Sequence, residues 1–212
     1  MAAPETTEIP LFKAFYEIKT PRLIIRSAVP EDAEPVYRLL SSPDNNPHTP
    51  VDPELSPEVF SRRIARWKET AETGVNAFMV IASRETGELV GFGGFNSLPK
   101  KPALDGSGQE VLVGDIGVMI DKKQWRKGYA TEAICAKTEF GFSHFGCGFM
   151  FLDTGKDNEP VRALMKALHL DHVESTKQSA FDKDDWVWLY EYDKATWERA
   201  KAQLKEEGKW PL

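Results

Sequence analysis

Apolar residues along this chain come in short bursts, each bounded by glycine, proline or charge, and the period of each burst predicts its element. RLIIRS (22–27) reads as a strand. Pro30, Glu31 and Asp32 then suit the first turn of a helix to about Leu40, where proline loses no hydrogen bond and carboxylates meet the positive helix end. Residues 41–57, SSPDNNPHTPVDPELSP, hold five prolines and predict a loop, closed by Ser56 as a helix cap with Pro57 at the first helical position. Phe60, Ile64, Trp67 and Ala71 fall on one face of that helix.

After Gly74, FMVIAS (78–83), a Glu-Thr-Gly turn and ELVGFGGFN (88–96) predict a hairpin, and SLPKKPALDGSGQE (97–110) a long loop. VLVGDIGVMID (111–121) reads as a strand interrupted by Gly114 and Gly117, which there indicate a bulge or the close approach of a backbone or ligand. Helical spacing follows from Gly128 to about Phe145, a strand over GFMFLDT (148–154) and a short helix over 158–168. Two further strands are expected over 173–180 and DWVWLYEY (185–192), before Asp193 caps a last helix with Trp197, Ala200 and Leu204 on one side. The order is mixed α/β, and its length suits one domain.

Composition narrows the function classes. No apolar run is long enough for a membrane span, and MAAPETTEIP is polar and acidic where a signal peptide would be basic and then apolar, so an intracellular, cytoplasmic protein is expected. The cysteines are only Cys135 and Cys147, and the histidines (His48, His144, His169, His172) are scattered; no metal site is expected. A net charge of −6 argues against general nucleic-acid affinity. Against it, Lys122, Lys123, Arg126 and Lys127 form one conspicuous basic turn.

GFGGF (91–95) has Asn96 where the dinucleotide fingerprint needs glycine, no phosphate-binding GxxxxGK[ST] loop exists, and GSG (106–108) lacks the flanks of a nucleophile elbow. QWRKGYATEA (124–133) is different. It is either a solvated charged turn or an anion seat: the first N–H groups of a helix lack partners, Gly128 and Ala130 permit close approach, and Arg126 and Lys127 add charge. The glycine-interrupted strand upstream would expose backbone groups to an extended ligand, and coenzyme A combines a diphosphate with an amide-bearing arm.

GDIGVMIDKKQWRKGYATEA resembles the cofactor motif of the GNAT N-acetyltransferase superfamily, in the branch of the RimJ/RimL-type ribosomal-protein N-terminal acetyltransferases. TPRLIIRSAVPEDAEPV, DNEPVRALMKAL and WVWLYEYDKATW resemble that branch's other segments, in order. The resemblance implies a single domain over 18–198, with 1–17 an N-terminal extension and 199–212 the end of the last helix and a tail. It also implies a mixed, mainly antiparallel sheet of about seven strands, splayed at acetyl-CoA. Val118, Met119 and Ile120 would hold the acyl and pantetheine part, Trp125, Arg126, Lys127, Gly128, Tyr129, Ala130 and Thr131 the pyrophosphate, and Asn158 the pantetheine arm. Asp115 is the candidate base, with a satisfied strand carboxylate as the alternative reading.

Many relatives carry a leaving-group acid where Met165 stands, and glycine–phenylalanine where His169 and Leu170 stand. The implied reaction is direct acetyl transfer to a primary amine, either a protein N-terminus or a small molecule, by a monomer or homodimer without metal. Loops 41–57 and 97–110 would border the acceptor. The competing readings are another acyl donor, or a noncatalytic acyl-CoA-binding protein.

Overall fold

The computed structural model describes residues 11–47, 51–180, 182 and 184–212. The acidic start MAAPETTEIP and His48 lie outside these. In chain order the elements are β1 (Glu17–Lys19), β2 (Leu23–Ser27), α1 (Ala33–Leu40), α2 (Pro57–Glu72), β3 (Met79–Ser83), β4 (Leu89–Phe92), β5 (Phe95–Ser97) and β6 (Lys100–Pro102). There follow β7 (Glu110–Ile116), β8 (Met119–Ile120), α3 (Tyr129–Phe140), β9 (Phe149–Gly155), α4 (Glu159–Ala167), β10 (Glu174–Gln178), β11 (Trp186–Asp193) and α5 (Lys194–Glu206).

Among the described residues, three α-helices carry side-chain caps, each where a short polar residue precedes apolar periodicity. Ser56 Oγ accepts from Val59 N at 3.3 Å, Asn158 Oδ1 from Val161 N at 3.4 Å, and Asp193 Oδ1 from Thr196 N at 2.8 Å. Pro30–Asp32 instead form a 3-10 turn ahead of α1, because the Asp32 carboxylate folds back onto Val29 N (2.8 Å) and Arg26 Nη1 (2.6 Å).

Two sheets in the orders β1-β2-β3-β4-β8 and β10-β11-β9-β7-β5 make up the central layer, with β6 on the flank of β7. Every pairing is antiparallel except β7 with β9. All seven expected strands form, and two of them divide. Strand 88–96 breaks at Gly93–Gly94 into β4 and β5, and strand 111–121 breaks at Gly117–Val118 into β7 and β8. β1 and β6 are additional short strands, so part of the expected 97–110 loop is strand: Lys101 pairs with Val111.

The breaks fit each other. Gly93 has φ 145°, and a Cβ there would lie 2.2 Å from the Gly117 carbonyl oxygen, so the two interrupted strands approach closer than any side chain permits.

α1 and α2 cover one face through Val36, Phe60 and Ile64 against Val80, with Trp67 alongside. The main core lies on the other face, where Ala133, Ile134 and Ala136 of α3, Met165 of α4 and Trp197, Ala200 and Leu204 of α5 meet Ile25, Ile81, Ile116 and Met150. Tyr16, ahead of β1, is buried in the same core. Among the described residues no helix is long and apolar enough to cross a membrane.

Candidate cofactor cleft and active site

The cleft begins where two neighbouring strands part. β7 and β9 run in parallel register through Val113–Phe149, Gly114–Met150 and Asp115–Phe151, but past the break β8 turns to pair with β4, Met119 opposite Phe92 and Ile120 opposite Gly91. The separation of β8 from β9 opens a cavity of about 920 Å³. Val118, Met119 and Ile120 form one wall, Pro160, Val161 and Leu164 of α4 the other, and Arg126, Gly128, Tyr129, Ala130 and Thr131 the end at the mouth of α3.

That end gathers backbone donors without partners. Arg126 has φ 65° and Gly128 φ 78°, so the turn alternates into the left-handed region and gathers backbone N–H groups into a concavity. The first helical bond is from Glu132 N to Gly128 O at 3.1 Å; the consecutive N–H groups from Arg126 to Thr131 donate to no acceptor among the described residues. Gly128 is tight as well as left-handed, since a Cβ there would stand 3.3 Å from Arg22 Nη2. These features fit a diphosphate, which needs donors from backbone that can be approached closely.

The turn is held from behind by residues with no local signal. Glu132, fully buried on α3, accepts from Thr20 Oγ1 (2.6 Å), Arg22 N (2.9 Å) and Arg22 Nε (2.6 Å). Arg22 Nη1 then donates to the Lys127 carbonyl at 2.7 Å, and its guanidinium stacks over the Tyr129 ring. The indole Nε1 of Trp125 donates to Ile120 O at 2.7 Å and ties the turn to the end of β8. Pairing partners this far apart in the chain leave only a weak trace in sequence: a charge ahead of an apolar strand, and a carboxylate in an apolar helix.

Of the other sequence-selected residues, Asn158 lines the cleft, but its side chain also caps α4 and donates to Thr154 Oγ1 at 2.8 Å. Lys127 and Asp115 do not line it. Lys127 Nζ donates to Gln124 Oε1 at 2.6 Å. Met165 is fully buried in the core, leaving α4 to present apolar groups to the cleft. The 41–57 loop arrives at the basic turn: Asn45 Oδ1 accepts from Lys122 N at 2.8 Å, and Asp44 pairs with Lys122 Nζ at 3.0 Å.

Asp115 is the last β7 residue paired with β9, on the same face as Val113, and stands opposite Ser97 of β5. Its carboxylate accepts from Asn96 Nδ2 (3.2 Å) and Ser97 Oγ (3.0 Å). Partial burial raises its pKa from the ordinary aspartate value; the Asn96 and Ser97 bonds oppose this, Asp153 adds to it and Lys177 opposes it.

A sheet that splays beside a helix mouth of free N–H groups is the frame of an acyltransferase, and the chain belongs to the GNAT acetyltransferase family: the model of the Acetyltransferase (GNAT) domain matches residues 22–171. It is similar to the uncharacterized N-acetyltransferase YoaA of Bacillus subtilis (strain 168), 26% identical over 148 residues, covering 70% of this chain and 78% of that one. Among solved structures, Mycobacterium smegmatis RimJ in complex with CoA-disulfide superposes with a TM-score of 0.71 at 16% identity, covering 92% of this chain and 94% of RimJ. FdhC, a nucleotide-linked sugar GNAT, gives a TM-score of 0.69 at 16% identity, covering 93% and 99% respectively. At these identities the two structures show a shared fold.

Proposed function

We propose that this protein is an acetyl-CoA-dependent N-acetyltransferase that acts on a primary amine, either a protein N-terminus or a small-molecule amine. The observation that carries this reading is the run of unpartnered N–H groups from Arg126 to Thr131 at the end of a cleft whose side wall is the strand Val118–Ile120. It offers a diphosphate one terminus and an extended amide arm the other. RimJ, similar in fold, is in complex with CoA-disulfide, which supports the choice of ligand.

The amine attacks the thioester carbon directly, forming the C–N bond as the C–S bond breaks. The amine proton must leave before or during attack. At pH 7 about one in ten α-amines but fewer than about one in a thousand lysines are neutral, so an α-amine acceptor asks less of a base. Asp115, held by Ser97 and Asn96, is the proposed base, directly or through water. The departing thiolate is tolerable unprotonated, with a pKa near ~8.5, consistent with an α4 wall free of titratable side chains. The reading keeps 18–198 as the transfer domain, in a cytoplasmic monomer or homodimer.

The same apolar α4 wall favours a second reading, a noncatalytic acyl-CoA-binding protein. A thiol-release assay with acetyl-CoA separates the two. Free-N-terminal peptides, lysine peptides and small amines are added in turn, and acceleration by one of them is the expected result. Tight acetyl-CoA binding with silence on every acceptor would select the binding protein.

A further inference from the structure

We propose that Lys137 is a positioning residue for acyl transfer, gripping the Gly117 carbonyl so that the Val118 N–H on the other side of that peptide is aimed at the thioester carbonyl. The inference rests on the acetyl-CoA reading of the cleft.

Three polar side chains are buried on α3, and two have evident structural partners. Glu132 takes Thr20 and Arg22, and the Thr138 hydroxyl meets the Tyr192 hydroxyl at 2.9 Å. Lys137 is completely buried, is in no ion pair among the described residues, and hydrogen-bonds through Nζ to Gly117 O. A buried lysine without a counter-charge is a poor way to fill a core, where methionine or leucine would do better. Its one contact therefore marks its use.

That contact falls on the peptide where β7 becomes β8. Gly117 N donates to Gly94 O at 3.2 Å, and its carbonyl is wedged beside Gly93, so the bulge has one orientation. No peptide bond among the described residues is cis, and in a trans peptide the C=O and the following N–H point in opposite directions. With Gly117 O turned toward α3, the Val118 N–H faces away from it. Val118 lines the cleft, and its N–H donates to no acceptor among the described residues. A donor bound at the carbonyl end also polarises that N–H, strengthening its bond to an incoming oxygen. Burial lowers the Lys137 pKa to about 7, and both the ammonium and the amine carry a proton to donate, so the grip holds in either form.

Acetyl-CoA and CoA differ in the carbonyl at stake, which gives a test independent of any acceptor. Lys137→Met should leave CoA affinity nearly unchanged but weaken acetyl-CoA about three- to tenfold, the worth of one hydrogen bond. Infrared difference spectra should show the bound thioester carbonyl stretch moving back toward its free position in this variant. Lys137→Gln, which keeps a donor, should recover much of both effects. In the unsubstituted protein, the Val118 amide proton resonance should shift on addition of acetyl-CoA and much less with CoA, a measurement that survives even if a variant misfolds. Equal loss of both ligands, an unmoved carbonyl stretch, or the same Val118 shift with either ligand would overturn the inference while leaving the cofactor reading intact. Failure of the unsubstituted protein to bind either ligand would instead remove the cofactor reading, and this inference with it.

Discussion

Arg22 Nη1 donates to the carbonyl of Lys127 at 2.7 Å, so the residue just ahead of β2 holds the back of the turn at the mouth of α3. By taking that carbonyl, Arg22 leaves the neighbouring N–H groups facing the cleft, while its own Nε is held by buried Glu132. Arg22→Ala is expected to weaken CoA about tenfold and to lower stability by about 1–3 kcal/mol, because the Glu132 carboxylate keeps only Thr20 and a backbone N–H. Arg22→Lys should recover little, since an ammonium cannot serve carboxylate and carbonyl at once in the same fork. Calorimetric titration with CoA and thermal melts measure both.

Gly128→Ala tests the turn itself. The left-handed φ of 78° should cost about 1–2 kcal/mol with any side chain, and the new Cβ would crowd Arg22 Nη2. CoA affinity is expected to fall along with the melting temperature. Gly87→Ala is the control: its φ of 73° carries the same strain, with open space around it. It should lower the melting temperature without changing affinity, and an equal loss of affinity would refute a local role for Gly128.

For Asp115 the prediction concerns pH. Burial raises its pKa, and a base works only when deprotonated, so kcat/KM should fall as pH drops through a value above that of an ordinary aspartate. Asp115→Asn should slow the reaction about a hundredfold and remove that acidic limb. Ser97→Ala deletes a bond that favours the ionised form, so it should move the limb to still higher pH. A pH–rate profile identical in all three proteins would exclude Asp115 as the base.

His169 follows α4 with φ 57°, at the place where a helix normally ends on glycine. His169→Gly should stabilise the fold by about 1 kcal/mol, or about 2–4 °C in a chain of this size, despite losing a contact between its Nε2 and Glu207. A fall in melting temperature would mean that the Glu207 contact outweighs the backbone strain.

Burial pushes the thiols of Cys135 and Cys147 up to about 12. Neither should react with a thiol reagent in the native protein, and both should do so in denaturant. Rapid modification of the native protein would show that α3 or the turn before β9 opens readily.

Much of this arrangement was legible in residue order, because its causes are local. Ser56 and Asp193 cap the helices they precede, and strand periods locate β2, β3, β7, β9 and β11, since a cap or an alternation is complete within a few residues. QWRKGYATEA disclosed the glycine-led helix mouth for the same reason: free N–H groups and a left-handed glycine belong to a helix start wherever it is placed. Long-range relations decided the rest. Arg22 and Lys127 are 105 positions apart, Lys137 meets Gly117 across the core, and the pairing of β8 with β4 rather than β9 is what opens the cleft. The sequence by itself determined most of the elements, the Ser56 and Asp193 caps and the glycine-led helix mouth, because hydrophobic period and backbone sterics act between near neighbours. Only the tertiary structure decided what grips the turn, which peptide faces the cleft, and that Met165 turns inward, because those depend on which distant groups burial forces to share their hydrogen bonds.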